Sequence, residues 1–73
     1  MKKLGRNIRA VREMRNLTQE ALAQAIGYSQ RHVSIIEKGE IPLKEECIQS
    51  ISDALEVSPQ KLIDLDYDSF LKK

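Results

Sequence analysis

The sequence predicts an all-α domain of five short helices, and three observations carry that reading. Apolar residues recur at intervals of three and four, as in Leu4, Ile8, Val11, then Leu22, Ile26, then Val33, Ile36, then Ile48, Ile51, Leu55. This spacing lines one face of a helix. Glycine and proline number only three and two in 73 residues, too few for the turns of an all-β fold. Aromatic residues make up 4% and tryptophan is absent, which suits a compact helical core of Leu, Ile, Val and Ala. A chain of this length forms one domain, residues 1–73, with its core in 4–65 and a C-terminal tail in 66–73. Such a domain buries only about 60% of its unfolded surface, which leaves little room for a large substrate pocket.

The elements follow in order. Leu4, Ile8 and Val11, with Met14 as a possible fourth member, form the apolar stripe of a first helix over residues 4–15, with basic residues between them. Asn16 can adopt the left-handed conformation that ends it. Thr18 is placed to cap a second helix, 19–26, with its hydroxyl. Gly27 stops that helix, because glycine meets no Cβ penalty at positive φ, and Tyr28 falls in the turn. Ser29 caps a third helix, 30–38, which Gly39 terminates. Glu40 to Leu43 is a connector whose Pro42 suits the start of a helix. A fourth helix runs from Leu43 or Lys44 to Glu56, with Ile48, Ile51, Ala54 and Leu55 as its stripe. Ser58 and Pro59 are a cap and a first-position proline for a fifth helix, about 60–65, with Leu62 and Leu65 inward. No internal repeat or linker divides the chain.

Net charge is +1, but it is unevenly spread. Residues 1–39 hold eight basic and three acidic side chains, and residues 40–73 hold four basic and eight acidic. A basic half joined to an acidic half suggests one face for an anionic partner and another that repels it; ordinary solvated helix faces are the competing explanation. The single cysteine, Cys47, rules out an internal disulfide. It sits beside Ile48 and reads as a small, partly buried hydrophobe rather than a redox sensor. No apolar run approaches the roughly 20 residues that span a bilayer, and the basic N-terminus is not followed by a signal core. A cytoplasmic location without membrane association is expected. One histidine, one cysteine, no glycine-rich phosphate loop and no paired metal spacing argue against an enzyme and imply no cofactor and no metal.

Six positions fit one tight pair of helices. Leu22 and Ile26 precede the turn at Gly27, Ala23 is small where the two helices cross, and Val33 and Ile36 follow. Such a pair crosses at roughly 90–120° and projects its second helix outward.

The residues at these positions also carry a resemblance. Leu17 to Gln30, LTQEALAQAIGYSQ, resembles the pattern LTQEELAEKLGVSQ of the Cro and phage-repressor helix-turn-helix family, also called XRE-like. Val33 to Gly39 resembles its ISRIENG ending, and Ala54 to Ser58 its ALGVS close. The resemblance covers residues 4–65. It implies a five-helix lambda-repressor-like domain with its helix-turn-helix formed by helices 2 and 3, and sequence-specific binding of double-stranded DNA.

It also implies roles for single residues. The third helix would lie in the major groove with its N-terminal residues on base edges. Gln30 and Arg31 are the first candidates, since Gln pairs bidentately with adenine and Arg with guanine; a solvated helix face is the alternative for both. Ser34 and Ile35 lie one turn later. Ile35 can touch a thymine methyl but cannot hydrogen-bond a base, and relatives often carry a polar residue there. Thr18 and Gln19 open the second helix, where amides and the helix dipole favour a phosphate, and simple capping by Thr18 is compatible with that role. Lys38 and Lys44 flank the next loop and can sit beside the DNA backbone or serve solubility. His32 can contact phosphate or stay merely exposed. Arg12 and Glu37 match the positions of an ion pair linking the first helix to the end of the third. Ser52 stands where many relatives have alanine.

A transcriptional regulator is therefore expected, of repressor type, acting as a homodimer on a palindromic operator. Leu62, Ile63, Tyr67, Phe70 and Leu71 supply apolar residues for a dimer surface, or else close the small core. The acidic half would face away from DNA. A phage repressor, a restriction-modification controller and a DNA-binding antitoxin all fit the length. The different reading is a protein-interaction module or antitoxin that keeps the helix-turn-helix core, with an additional protein partner.

Overall fold

A computed structural model describes residues 2–66. Residues 67–73 of the expected tail, with Tyr67, Phe70 and Leu71, lie outside the described residues. Five helices follow one another: α1 Lys2–Met14, α2 Gln19–Ile26, α3 Gln30–Lys38, α4 Glu45–Leu55 and α5 Pro59–Asp64. Among the described residues there is no strand, and no helix is long and apolar enough to cross a membrane.

The helix starts obey short-range rules. The hydroxyls of Thr18, Ser29 and Ser58 accept from the amides of Ala21, His32 and Lys61, at 3.0, 3.1 and 3.1 Å. Each bond satisfies one of the orphan donors of a first turn. Pro59 stands at the first position of α5. Gly27 (φ 76°) and Gly39 (φ 72°) end α2 and α3 in the left-handed conformation. Asn16 (φ 58°) ends α1 in the same way. The spans expected for α2 and α3 are the ones observed.

Three details differ from the sequence expectations. Met14 is 76% exposed and outside the core. It is the last residue of α1, whereas Ala10, one turn earlier on the same side of the helix, is 3% exposed. The fourth helix starts later than expected. Pro42 belongs to the connector, Lys44 holds an extended backbone (φ −78°, ψ 156°), and helical geometry begins at Glu45. Leu62 is fully buried, so it belongs to the core and cannot form part of a dimer surface, whereas Ile63 is 43% exposed.

The core joins all five helices: Leu4, Ile8 and Val11 of α1, Leu22 and Ala23 of α2, Val33 and Ile36 of α3, Ile48, Ile51 and Leu55 of α4, and Leu62 of α5. Ile26, Tyr28, Cys47, Ala54 and Leu65 pack around it, half-buried. Ser52 is buried too, but its hydroxyl donates to the carbonyl of Ile48 at 2.7 Å, so its polar group is satisfied within its own helix. The most extensive helix pairings are α2 on α3 and α1 on α3, so α3 is clamped between its two predecessors.

Candidate nucleic-acid interface

One face of α3 is anchored and another is presented. Val33, Ile36 and Glu37 are buried, Gln30, Arg31 and His32 are exposed, and Ser34 and Ile35 are half-buried. Ala23, at 2% exposure, lets α2 lie close to its neighbours. On the other side, Gly5 allows the close approach of α1. A Cβ there would stand 2.6 Å from the carbonyl oxygen of Glu37 and 2.7 Å from that of Ile36. The last turn of α3 therefore rests directly on the α1 backbone.

The expected ion pair is formed. Arg12 Nε donates to Glu37 Oε2 at 2.6 Å, and its Nη2 donates to Glu37 Oε1 at 3.1 Å. This is the two-pronged geometry that planar guanidinium and carboxylate groups favour. Arg12 Nη1 also donates to the carbonyl of Leu17 at 2.7 Å, so one side chain ties together α1, the loop before α2 and the end of α3. The side chains of Arg12 and Glu37 are 10% and 3% exposed. The hydrogen bond to Glu37 raises the Arg12 pKa above its ordinary value, while burial opposes that rise.

The pair continues outward. Gln19 Nε2 donates to Glu37 Oε1 at 3.0 Å, and Gln30 Nε2 donates to Gln19 Oε1 at 2.6 Å. The structure thus brings together Arg12, Glu37, Gln19 and Gln30, which are dispersed over three helices in the sequence. Thr18 spends its hydroxyl on the α2 cap. Lys38 ends α3 and Lys44 occupies the cap position of α4, both exposed, and the Lys44 side chain makes no capping bond. His32 is exposed and stacks on Tyr28, with ring centroids 4.4 Å apart. Tyr28 in turn donates its hydroxyl to Cys47 Sγ at 3.3 Å. The half-buried Cys47 thereby helps hold the turn of the motif against α4.

The charge reading needs a correction. Two of the eight basic side chains of residues 1–39 serve the fold: Arg12 in the buried pair and Arg15, which donates to the carbonyls of Leu55 and Glu56 at 2.9 and 3.1 Å. Arg9 faces Glu13 at 3.7 Å. The positive face is smaller than the residue count suggests.

Sequence reasoning missed four contributors to the site and its support: Gly5, Asn7, Arg15, and Gln19 as a link between side chains. A glycine inside a helical pattern is a known sign of close packing. Asn7 lies on the same face as Leu4, Ile8 and Val11, and a polar residue on an apolar face demands a partner. For Arg15 no local signal exists.

Comparisons with known proteins agree with this geometry. A family model described as Helix-turn-helix matches residues 8–62. The chain is 45% identical over 56 residues to y4aM, an uncharacterized HTH-type transcriptional regulator of Sinorhizobium fredii; the match covers 77% of this chain and 39% of that one. It is 38% identical over 58 residues to YazB, an uncharacterized HTH-type transcriptional regulator of Bacillus subtilis, covering 80% and 84%. Among solved structures, the P22 c2 repressor in complex with a synthetic operator superposes with a TM-score of 0.76 at 32% identity, covering 85% of this chain and 94% of that one.

Proposed function

This chain belongs to the XRE-type helix-turn-helix family of DNA-binding transcription regulators, and on that footing we propose that it is a repressor that binds a palindromic operator as a homodimer. The observation that carries the reading is the first turn of α3. There Gln30 and Arg31 are exposed on a helix whose opposite side is fixed by Val33, Ile36 and Glu37. A base-reading surface needs this combination, because a side chain discriminates bases only if the helix beneath it holds still.

In this reading α3 enters the major groove. Gln30 pairs with adenine and Arg31 with guanine. Ser34 adds a contact one turn later, and Ile35 meets a thymine methyl. Thr18 and Gln19 bring the positive end of α2 to a phosphate, while Lys38 and Lys44 approach the backbone on either side of the α3–α4 loop. One domain of this size makes too small an interface for strong specificity, and two copies related by symmetry double it. Ile63 is the exposed large apolar residue of α5 available to such a pairing.

Selection on random duplex DNA tests the proposal. A palindrome should be enriched, and affinity should fall steeply with salt as phosphate contacts release counterions. Arg31→Ala should cost about 1–3 kcal/mol and relax preference at one base pair in each half-site, whereas Lys38→Ala should weaken binding to all sequences alike. Absence of any enriched sequence at low salt would sink the reading in favour of a protein-interaction module. Enrichment of a single half-site by a monomeric species in sedimentation would sink the dimer alone.

A further inference from the structure

An apolar groove of about 570 Å³ runs between α1 and α5. Ala10, Val11 and Met14 of α1 line it on one side, and Val57, Lys61 and Leu65 on the other. Met14 stands there 76% exposed. We infer that residues 67–73 of the same chain fold back over this groove and cover it, with Tyr67, Phe70 and Leu71 against its apolar lining. The inference stands apart from the proposed function, because no DNA contact enters it. It also concerns a stretch of chain beyond the family match, which stops at residue 62.

Three features of the chain select this occupant. The first is where the segment departs. Leu65 lines the groove, and its carbonyl is held on α1 by Asn7 Nδ2 at 2.6 Å, so the chain leaves the described fold at one end of the groove. Asn7, Ala10, Val11 and Met14 follow one side of α1 at helical spacing, and Met14 stands about 10 Å beyond Asn7 at 1.5 Å per residue. Phe70 follows Leu65 by five residues, a reach of about 8 Å in a helix and about 17 Å in an extended chain, which brackets that distance. The second feature is composition. The segment carries three large apolar side chains in seven residues, and these gain most by covering apolar surface rather than facing water. The third is charge. Arg15 and Lys61 edge the groove, and Asp68 falls between Tyr67 and Phe70.

Tethering decides between this segment and the same segment of a second copy. A segment attached at the mouth of its groove is presented at an effective concentration on the order of millimolar, which another molecule would have to exceed. The cover extends the packed unit past α5. Met14 becomes the contact between the last turn of α1 and the segment, through a flexible thioether that favours aromatic neighbours. Ile63 lies on α5 outside the groove lining and remains exposed for pairing between copies.

The experiment uses the full chain with methyl-labelled methionine, together with Met14→Ser, the segment variant Tyr67→Ser, Phe70→Ser, and all three substitutions combined. The wild type should show nuclear Overhauser contacts from the Met14 methyl to the ring of Tyr67 or Phe70. In a mixture of labelled and unlabelled chains, isotope filtering should assign those contacts to a single chain. Met14→Ser and the segment variant should each lower Tm by at least about 4 °C, the effect of one lost apolar contact in a domain of this size. The combined variant should lose little more than the segment variant, because Met14 faces solvent once the segment is released, and contacting residues are not additive. The spectra are read on the wild type, so they decide the matter even if a variant does not fold. Absence of contacts from Met14 to either ring overturns the inference and leaves the groove to a separate molecule. Contacts found only between chains overturn it in favour of a second copy. Losses that simply add in the combined variant overturn it as well, since Met14 and the segment would then act at separate places.

Discussion

The four helices after α1 end in two different ways. Helices α2 and α3, the helix-turn-helix pair, end on Gly27 and Gly39, whose amides turn back onto the carbonyls of the same helix. Helices α4 and α5 have no glycine at their ends; the amides of Glu56 and Leu65 turn back onto their own helices, and side chains in and just after α1 add further bonds from across the fold. Arg15 donates to the carbonyls of Leu55 and Glu56, and Asn7 donates through Nδ2 to those of Leu62 and Leu65 at 2.9 and 2.6 Å. Glu56 adopts the left-handed conformation (φ 57°) without being glycine, at a cost of roughly 1–2 kcal/mol for an L-residue. The motif thus stops on glycine alone, while the ends of its scaffold are reinforced from Asn7 and Arg15. The backbone bonds at all four ends are set by neighbouring residues; the added side-chain bonds at α4 and α5 exist only once the tertiary fold does.

Substitutions at five positions can break or sharpen this contrast. The largest effect is expected where α1 grips the motif itself. Arg12→Met or Glu37→Met alone leaves a buried charge without its partner and should cost about 3–5 kcal/mol, lowering Tm by well over 10 °C in a domain of this size. The double Met variant should recover much of that loss, and calorimetry on the three proteins decides it. Full stability in both single variants would remove the tie between α1 and α3. Next, Asn7→Ala strips two carbonyls of α5 of their buried donor and should cost about 1–3 kcal/mol. An unchanged denaturant midpoint would mean that the amide of Leu65, which bonds the carbonyl of Lys61, closes α5 without help from Asn7.

The glycine-ended helices should respond less. No atom lies within 4 Å of the Cβ position at Gly27, so Gly27→Ala meets only backbone strain, roughly 1–2 kcal/mol, and Gly27→Asn should lose less still because Asn tolerates that conformation. Equal losses for Ala and Asn would show that something other than backbone conformation is at work. Smallest is Arg15→Ala, about 1 kcal/mol or less at an exposed site. Its signature is local: faster amide exchange in the last turn of α4 with protection elsewhere retained.

The same contrast explains what was legible in the sequence. The caps Thr18, Ser29 and Ser58, the stops Gly27 and Gly39 and the spans of α2 and α3 all follow from residues at most four positions apart, and they could be read directly. The boundary of α4 could not, because Lys44 caps it without a side-chain bond and Pro42 drew the expected start too early. Met14 was read as core because a three-residue step from Val11 is helical, but it is the last residue of α1 and stands exposed there. At the candidate site, the Arg12–Glu37 pair was accessible through the family resemblance, and Gln30 and Arg31 through their place at the start of α3. The bonds from Gln19 to Glu37 and Gln30 span 18 and 11 residues. Nothing in the local pattern fixes such contacts; they arise from how closely α2 and α3 cross.

The closure of α5 by Asn7 also bears on the order in which the domain can be assembled during synthesis. Asn7 leaves the ribosome well before its acceptors, which lie 55 and 58 positions later. Once α3 has been made α1 can already pack on it, but the Asn7 amide cannot reach the carbonyls of Leu62 and Leu65 until α5 follows. The nascent motif α2–α3 can form its own turns and caps in the meantime, but α1 can seal the fold only when the last helix emerges, so completion of the native domain waits on its C-terminal end.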